Sequence, residues 1–148
     1  HSLTFDERIS ASEEYNLFMR IMAKGKVCTI NKILGSWRIS EGTTTDKQIS
    51  NWYKERLLSL DQLIIDNPKI KDLYPAEFQE AYARGYYYKV RYLMHTKNYK
   101  KAREEMKSIA FHSAKYFVLY LITFSPFIWR YIHSSIIKRK LSQKIIGH

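Results

Sequence analysis

The sequence predicts an α+β fold that is mostly α: a short helix and two strands, then a helical hairpin and amphipathic C-terminal helices. Three observations predict it. From residue 46 onward, apolar residues recur at helical spacing with few interruptions. Before that point, two short β-branched runs, 26–30 and 33–39, flank an Asn31-Lys32 turn. Gly25, Pro68 and Pro75 fall at the ends of periodic stretches, where a helix stops or restarts.

The first helix is announced by Ser10-Ala11-Ser12-Glu13, which has the spacing of a capping box, with Ser10 as the cap and Glu13 reaching back to it. Leu17, Phe18, Ile21 and Met22 then share one apolar face. Gly25 after Lys24 is placed for a left-handed stop. Residues 40–45, Ser-Glu-Gly-Thr-Thr-Thr, have the composition of a turn. Ile49, Trp52, Tyr53, Arg56, Leu57, Leu60, Leu63 and Ile64 form the next helical stripe, which ends at Asn67-Pro68. Pro75 suits a first helical turn. Residues 76–95 and 98–112 form an αα-hairpin around Thr96-Lys97. Its second arm is similar to the second helix of a tetratricopeptide unit, but no second copy occurs at that period, so a hairpin is expected and not a repeat array.

Charge is spread unevenly. Of the net +11, residues 1–50 hold seven Lys/Arg against six Asp/Glu, and residues 51–112 hold twelve against eight. Residues 113–148 hold six basic groups and no acid, which suits an anionic surface. The uncharged, aromatic-rich stretch between Lys115 and Arg130 is broken by Ser125-Pro126 and is shorter than the ~20 apolar residues of a spanning helix. Extending it to residue 137 would place Arg130 in hydrocarbon, at a cost of roughly 2.5 kcal/mol or more near the centre. Beyond Pro126, isoleucines and Leu141 alternate with Lys138, Arg139, Lys140 and Lys144, as in a basic helix lying in a membrane interface. Trp129 and Arg130 are expected to join Lys138, Arg139 and Lys140 in that contact. The competing reading is a terminal helix buried against the hairpin.

Three blocks carry a further pattern: Phe5-Asp6-Glu7, then Ser12-Glu13-Glu14-Tyr15-Asn16-Leu17-Phe18-Met19-Arg20, then Ile33-Leu34-Gly35-Ser36-Trp37-Arg38. Spacing alone leaves Glu13 and Glu14 open to a plain role, since acids in a first helical turn complement the macrodipole. In order, however, the blocks resemble the acceptor-side end of a family-2, GT-A-type glycosyltransferase. That family shows a hydrophobic-Asp-Glu element, an acidic pair, a Leu-aromatic-x-Arg helix, a glycine, a strand and a terminal arginine. The match covers about the first 45 residues.

The resemblance implies an inverting transferase that moves a sugar from a nucleotide-sugar to a hydroxyl of a glycan or lipid-linked glycan. Glu14 takes the place of the general base, where the family usually has Asp, and Glu13 is its helper or substitute. Trp37, Arg38, Ser40 and Thr43 would line the donor and acceptor side. Ser40 stands where the family often has His, so no metal contact is expected from this side. Any Mg or Mn, with its Asp-x-Asp site, would belong to a donor-binding half before His1, and His1 itself reads as the middle of a longer chain. The expected divisions are 1–45 for the end of the catalytic domain, 46–112 for the helical region and 113–148 for the tail. The fragment alone is expected to be inactive, and the intact protein to be cytoplasmic and peripheral on the inner face of the membrane.

Other chemistries find little support. His1, His95, His112, His133 and His148 show no ligand spacing, and there is no Gly-rich phosphate loop. Cys28 stands alone, which excludes an intrachain disulfide and fits a reducing compartment. The run Tyr86-Tyr87-Tyr88-Lys89-Val90-Arg91-Tyr92 mixes aromatic and basic residues as single-strand binders do, yet helical packing explains it and no nucleic acid is expected. The rival from another class is a non-enzymatic helical adaptor that binds protein or RNA.

Overall fold

The computed structural model describes residues 3–35 and 49–134, with the backbone alone at Ile49. Seven helices follow one another: α1 (Glu13–Met22), α2 (Ile49–Asp66), α3 (Ile70–Leu73), α4 (Pro75–His95), α5 (Tyr99–Ala110), α6 (Ala114–Ile122) and α7 (Pro126–Ile132). Contacts run largely between neighbours, from α1 on α2 and α2 on α4 to α4 on α5, α5 on α6 and α6 on α7. The mostly helical expectation holds. The β part needs correcting, since no strand occurs among the described residues. Residues 26–30 are irregular and exposed, and the second expected strand is described only through Gly35. β-Branched composition is a weak preference that needs a pairing partner, and none lies alongside among the described residues.

Two cores hold the helices. Leu60 and Leu63 of α2, Ile70 of α3 and Phe78 of α4 form the first, with Met19 and Ala23 of α1 against it. Val90, Leu93, Met94, Ala102, Met106, Ile109, Tyr116 and Trp129 form the backbone of the second, which joins α4 to α7. Gly85 lies in α4 where α2 comes close: a Cβ there would meet Leu57 Cδ2 at 3.1 Å. The aromatic run is absorbed by these interfaces. Tyr88 meets Trp52 edge-on at 5.3 Å, and Tyr92 stacks on Tyr53 at 6.5 Å.

The hairpin falls where the sequence places it, with a Schellman closure at its turn. Asn98 N–H donates to Leu93 O at 2.8 Å and Lys97 N–H to Met94 O at 3.3 Å. Lys97 takes the left-handed position with φ 62°, a place glycine usually fills. Gly25, by contrast, is not left-handed: α1 ends at Met22, with Ala23 in ordinary right-handed conformation. Pro75 opens a helix as anticipated; Pro126, which the sequence marks only as a break, opens α7, where the Ser125 hydroxyl accepts from Ile128 N–H.

α6 and α7 are neither fully buried nor free. Tyr116 and Trp129 face the core, and Trp129 stacks on His133 at 4.2 Å. Tyr87 Oη lies 2.6 Å from His133 Nε2, while His133 Nδ1 lies 2.8 Å from the Trp129 carbonyl. A carbonyl can only accept, so Nδ1 carries the proton and Nε2 accepts from Tyr87. Trp129 was expected at a membrane; it is 4% exposed, because its ring supplies the apolar anchor that ties α7 to α4. Arg130 is exposed, and Lys138, Arg139 and Lys140 lie outside the described residues. Among the described residues no helix is long and apolar enough to cross a membrane.

Candidate functional site at the start of α1

The lead-in to α1 is held from a distance of 45 residues. Glu55, buried in α2, accepts the Ser10 amide at 2.9 Å and the Ser10 hydroxyl at 3.0 Å on one carboxylate oxygen. The other oxygen accepts the Ala11 amide and the Ser12 hydroxyl, each at 3.0 Å. Four donors thus satisfy a carboxylate that would be costly to bury alone. The expected capping box does not form. The helix begins at Glu13 with Ser12 in the cap position, and Ser12 makes no side-chain cap bond. Both serine hydroxyls are committed to Glu55 instead.

Behind that clamp, α1 seats on α2 through polar contacts. Asn16 is fully buried; its Nδ2 donates to Ser59 Oγ at 3.3 Å and to Gln62 Oε1, and its Oδ1 has no partner among the described residues. Asp6 receives Gln62 and the guanidinium of Arg8. The Arg8 hydrogen bonds outweigh partial burial and hold the Asp6 carboxyl well below the usual carboxylate range. Arg20 braces the far end, with its Nε donating to Asp66 at 2.9 Å and Nη1 to the Thr4 carbonyl at 3.4 Å. The predicted apolar face therefore does not point inward as a unit. Met19 and Ala23 take the core side, while Phe18, Ile21 and Met22 are exposed.

Glu13 is half-buried and Glu14 exposed, and neither makes a hydrogen bond or ion pair among the described residues. Two concavities border α1. One, of about 390 Å³, is apolar, with Met19, Leu60, Leu63, Ile70 and Phe78 in its walls. The other, of about 460 Å³, is lined by Tyr15, Arg56, Glu77, Glu80 and Arg84. Arg56 lies 4.1 Å above the Tyr15 ring, so an aromatic and a cation meet one residue along from Glu14. Glu13 and Glu14 line neither concavity.

No protein family, curated protein or solved structure matches the chain. The site rests on its own residues. Trp37, Arg38, Ser40 and Thr43 lie outside the described residues, so the structure brings only the acidic pair into view. No group of three or more metal-ligating side chains occurs among the described residues. Sequence reasoning missed Glu55, Asn16 and Gln62. Glu55, Ser59 and Gln62 share one polar face of α2 by their i, i+4, i+7 spacing, which in sequence reads as a solvated face, and Asn16 carries no signal of burial.

At the edge of this second concavity, Glu80 of α4 gathers a further cluster. Its carboxylate accepts from Lys115 Nζ at 3.1 Å and Tyr116 Oη at 3.0 Å, and it lies 3.1 Å from His112 Nε2. Partial burial works to raise the Glu80 pKa, but Lys115, Tyr116 and His112 together lower it. Burial and the adjacent Glu80 push the Tyr116 phenol up to about 12. This cluster fastens α6 to α4 and is structural.

Proposed function

We propose that the chain is the acceptor-side end of an inverting glycosyltransferase, with Glu14 as the base that takes the proton of the acceptor hydroxyl. The observation that carries this reading is that Glu13 and Glu14 have no side-chain partner among the described residues, at a helix start whose serines are already claimed by Glu55. Acids placed there to close a capping box would use those serines. In an inverting transfer one carboxylate faces the incoming hydroxyl, opposite the departing nucleotide, and such a base contributes ~10²–10⁴ in rate.

The exposed apolar side chains of α1 and the segment after it agree with this assignment. Phe18, Ile21, Met22, Val27, Ile30 and Ile33 all face solvent, as expected of a surface that a preceding α/β half would cover. That half would bring the nucleotide-sugar and any Mg or Mn. The acceptor would be a glycan or a lipid-linked glycan, and the intact protein would work in the cytoplasm, peripheral on the inner face of the membrane. The test is sugar transfer by the intact protein carrying Glu14→Gln, with nucleotide-sugar binding measured alongside. The 148 residues alone should turn over no nucleotide-sugar.

A further inference from the structure

α6 and α7 each turn a triplet of large apolar side chains away from the core. In α6 these are Phe117, Val118 and Leu121; in α7 they are Phe127, Ile128 and Tyr131. Both triplets follow i, i+1, i+4, which is one face of a helix, while Tyr116 and Trp129 occupy the inward face. Phe124 continues the surface through the connection between the helices and is 55% exposed. Phe111 extends it on the other side, with its ring 6.0 Å from Phe117. An apolar surface this continuous on a water-facing helix pair has a partner.

The charge around it says which partner. From residue 113 to the end the chain has no Asp or Glu, and its basic groups include Lys115, Arg130 and the Lys138-Arg139-Lys140 run. Along the sequence, the six basic groups and no acid of residues 113–148 complement a sheet of anionic headgroups, with Lys115 itself paired to Glu80 of α4. The nine and seven residues of α6 and α7 amount to about 14 and 10 Å of helix, far less than the ~30 Å hydrocarbon core. We propose that α6 and α7 form an in-plane wedge that enters the headgroup region of an anionic bilayer, with the apolar triplets toward the acyl chains and the exposed Arg130 on the lipid phosphates. It deepens the membrane-peripheral placement proposed above, but its argument does not use the transferase assignment.

The experiment is co-sedimentation of the 148-residue chain with phosphatidylcholine vesicles, with and without roughly 30% phosphatidylglycerol. The wild type should bind the anionic vesicles, bind neutral ones more weakly, and lose affinity as salt rises from about 0.1 to 0.5 M. The doubly substituted Phe124→Asp, Phe127→Asp chain should lose about tenfold or more in partitioning. Phe127 is exposed, while Phe124 meets Tyr120 edge-on and lies under Arg103, so helix content should match the wild type and the urea midpoint should fall only slightly. A milder Phe124→Ser, Phe127→Ser pair should lose binding in the same direction. In a Phe127→Trp chain, brominated acyl chains should quench an emission component that the wild type lacks. Wild-type vesicle binding that survives both double substitutions would overturn the wedge, leaving the basic residues as a purely electrostatic contact. Absence of vesicle binding, with or without self-association through this face, would overturn it as well. None of these readouts measures sugar transfer, so failure of the wedge and failure of the base assignment are told apart.

Discussion

Glu55 accepts both the amide and the hydroxyl of Ser10 through the same carboxylate oxygen, at 2.9 and 3.0 Å. This ties the lead-in of α1 to the middle of α2 and fixes where the acidic pair stands. Replacing Glu55 with Ala leaves four donors without their acceptor, two of them backbone amides. Glu55→Ala should cost about 2–4 kcal/mol in urea denaturation, in the range for losing a charged, buried hydrogen-bonding group. Glu55→Gln keeps the shape but turns one acceptor into a donor facing donors, so it should also destabilise.

Lys97 occupies a left-handed turn position that costs a residue with a Cβ about 1 kcal/mol or more. Lys97→Gly should therefore stabilise the hairpin. Part of the gain is offset by glycine's greater freedom in the unfolded chain. A rise of about 0.5–1 kcal/mol by urea denaturation is expected. The change touches neither the acidic pair nor the apolar wedge.

Two carboxylates make the fold acid-sensitive. Asp6 and Glu80 both have folded-state pKa values below their unfolded ones. Groups shifted in this direction contribute stability above the unfolded carboxylate pKa of about 4, and the contribution is lost as pH falls through and below it. Urea midpoints should be level from pH 7 to about 5 and drop towards pH 3. Asp6→Asn combined with Glu80→Gln should flatten that drop while lowering stability at pH 7.

Much of the helical scaffold was legible because its signals are local. The stripe from Trp52 to Ile64 became α2, and Thr96-Lys97 became the hairpin turn, because 3.6-residue periodicity and turn chemistry act over a few neighbours. What escaped depended on distant residues. Ser10 reads as a cap until Glu55, 45 positions away, claims its hydroxyl. Asn16 lies at a helical position that gives no hint of burial, yet Ser59 and Gln62 make it the seat of α1. Trp129 beside Arg130 resembles an interface anchor by composition, but the Tyr87 and His133 rings draw it inward. The 26–30 run has strand composition but no partner strand among the described residues, and composition alone does not make a sheet. Of the candidate site, the acidic pair was visible in sequence, whereas its lack of partners among the described residues became visible only in three dimensions.

The base assignment is tested most directly by single-turnover sugar transfer in the intact protein, comparing wild type with Glu14→Gln at saturating nucleotide-sugar. Because Glu14 has no partner among the described residues, the substitution should leave the urea midpoint and donor affinity unchanged. Transfer should fall by about 10² or more. Near-normal transfer by Glu14→Gln, with the protein folded and the donor bound, would contradict the account.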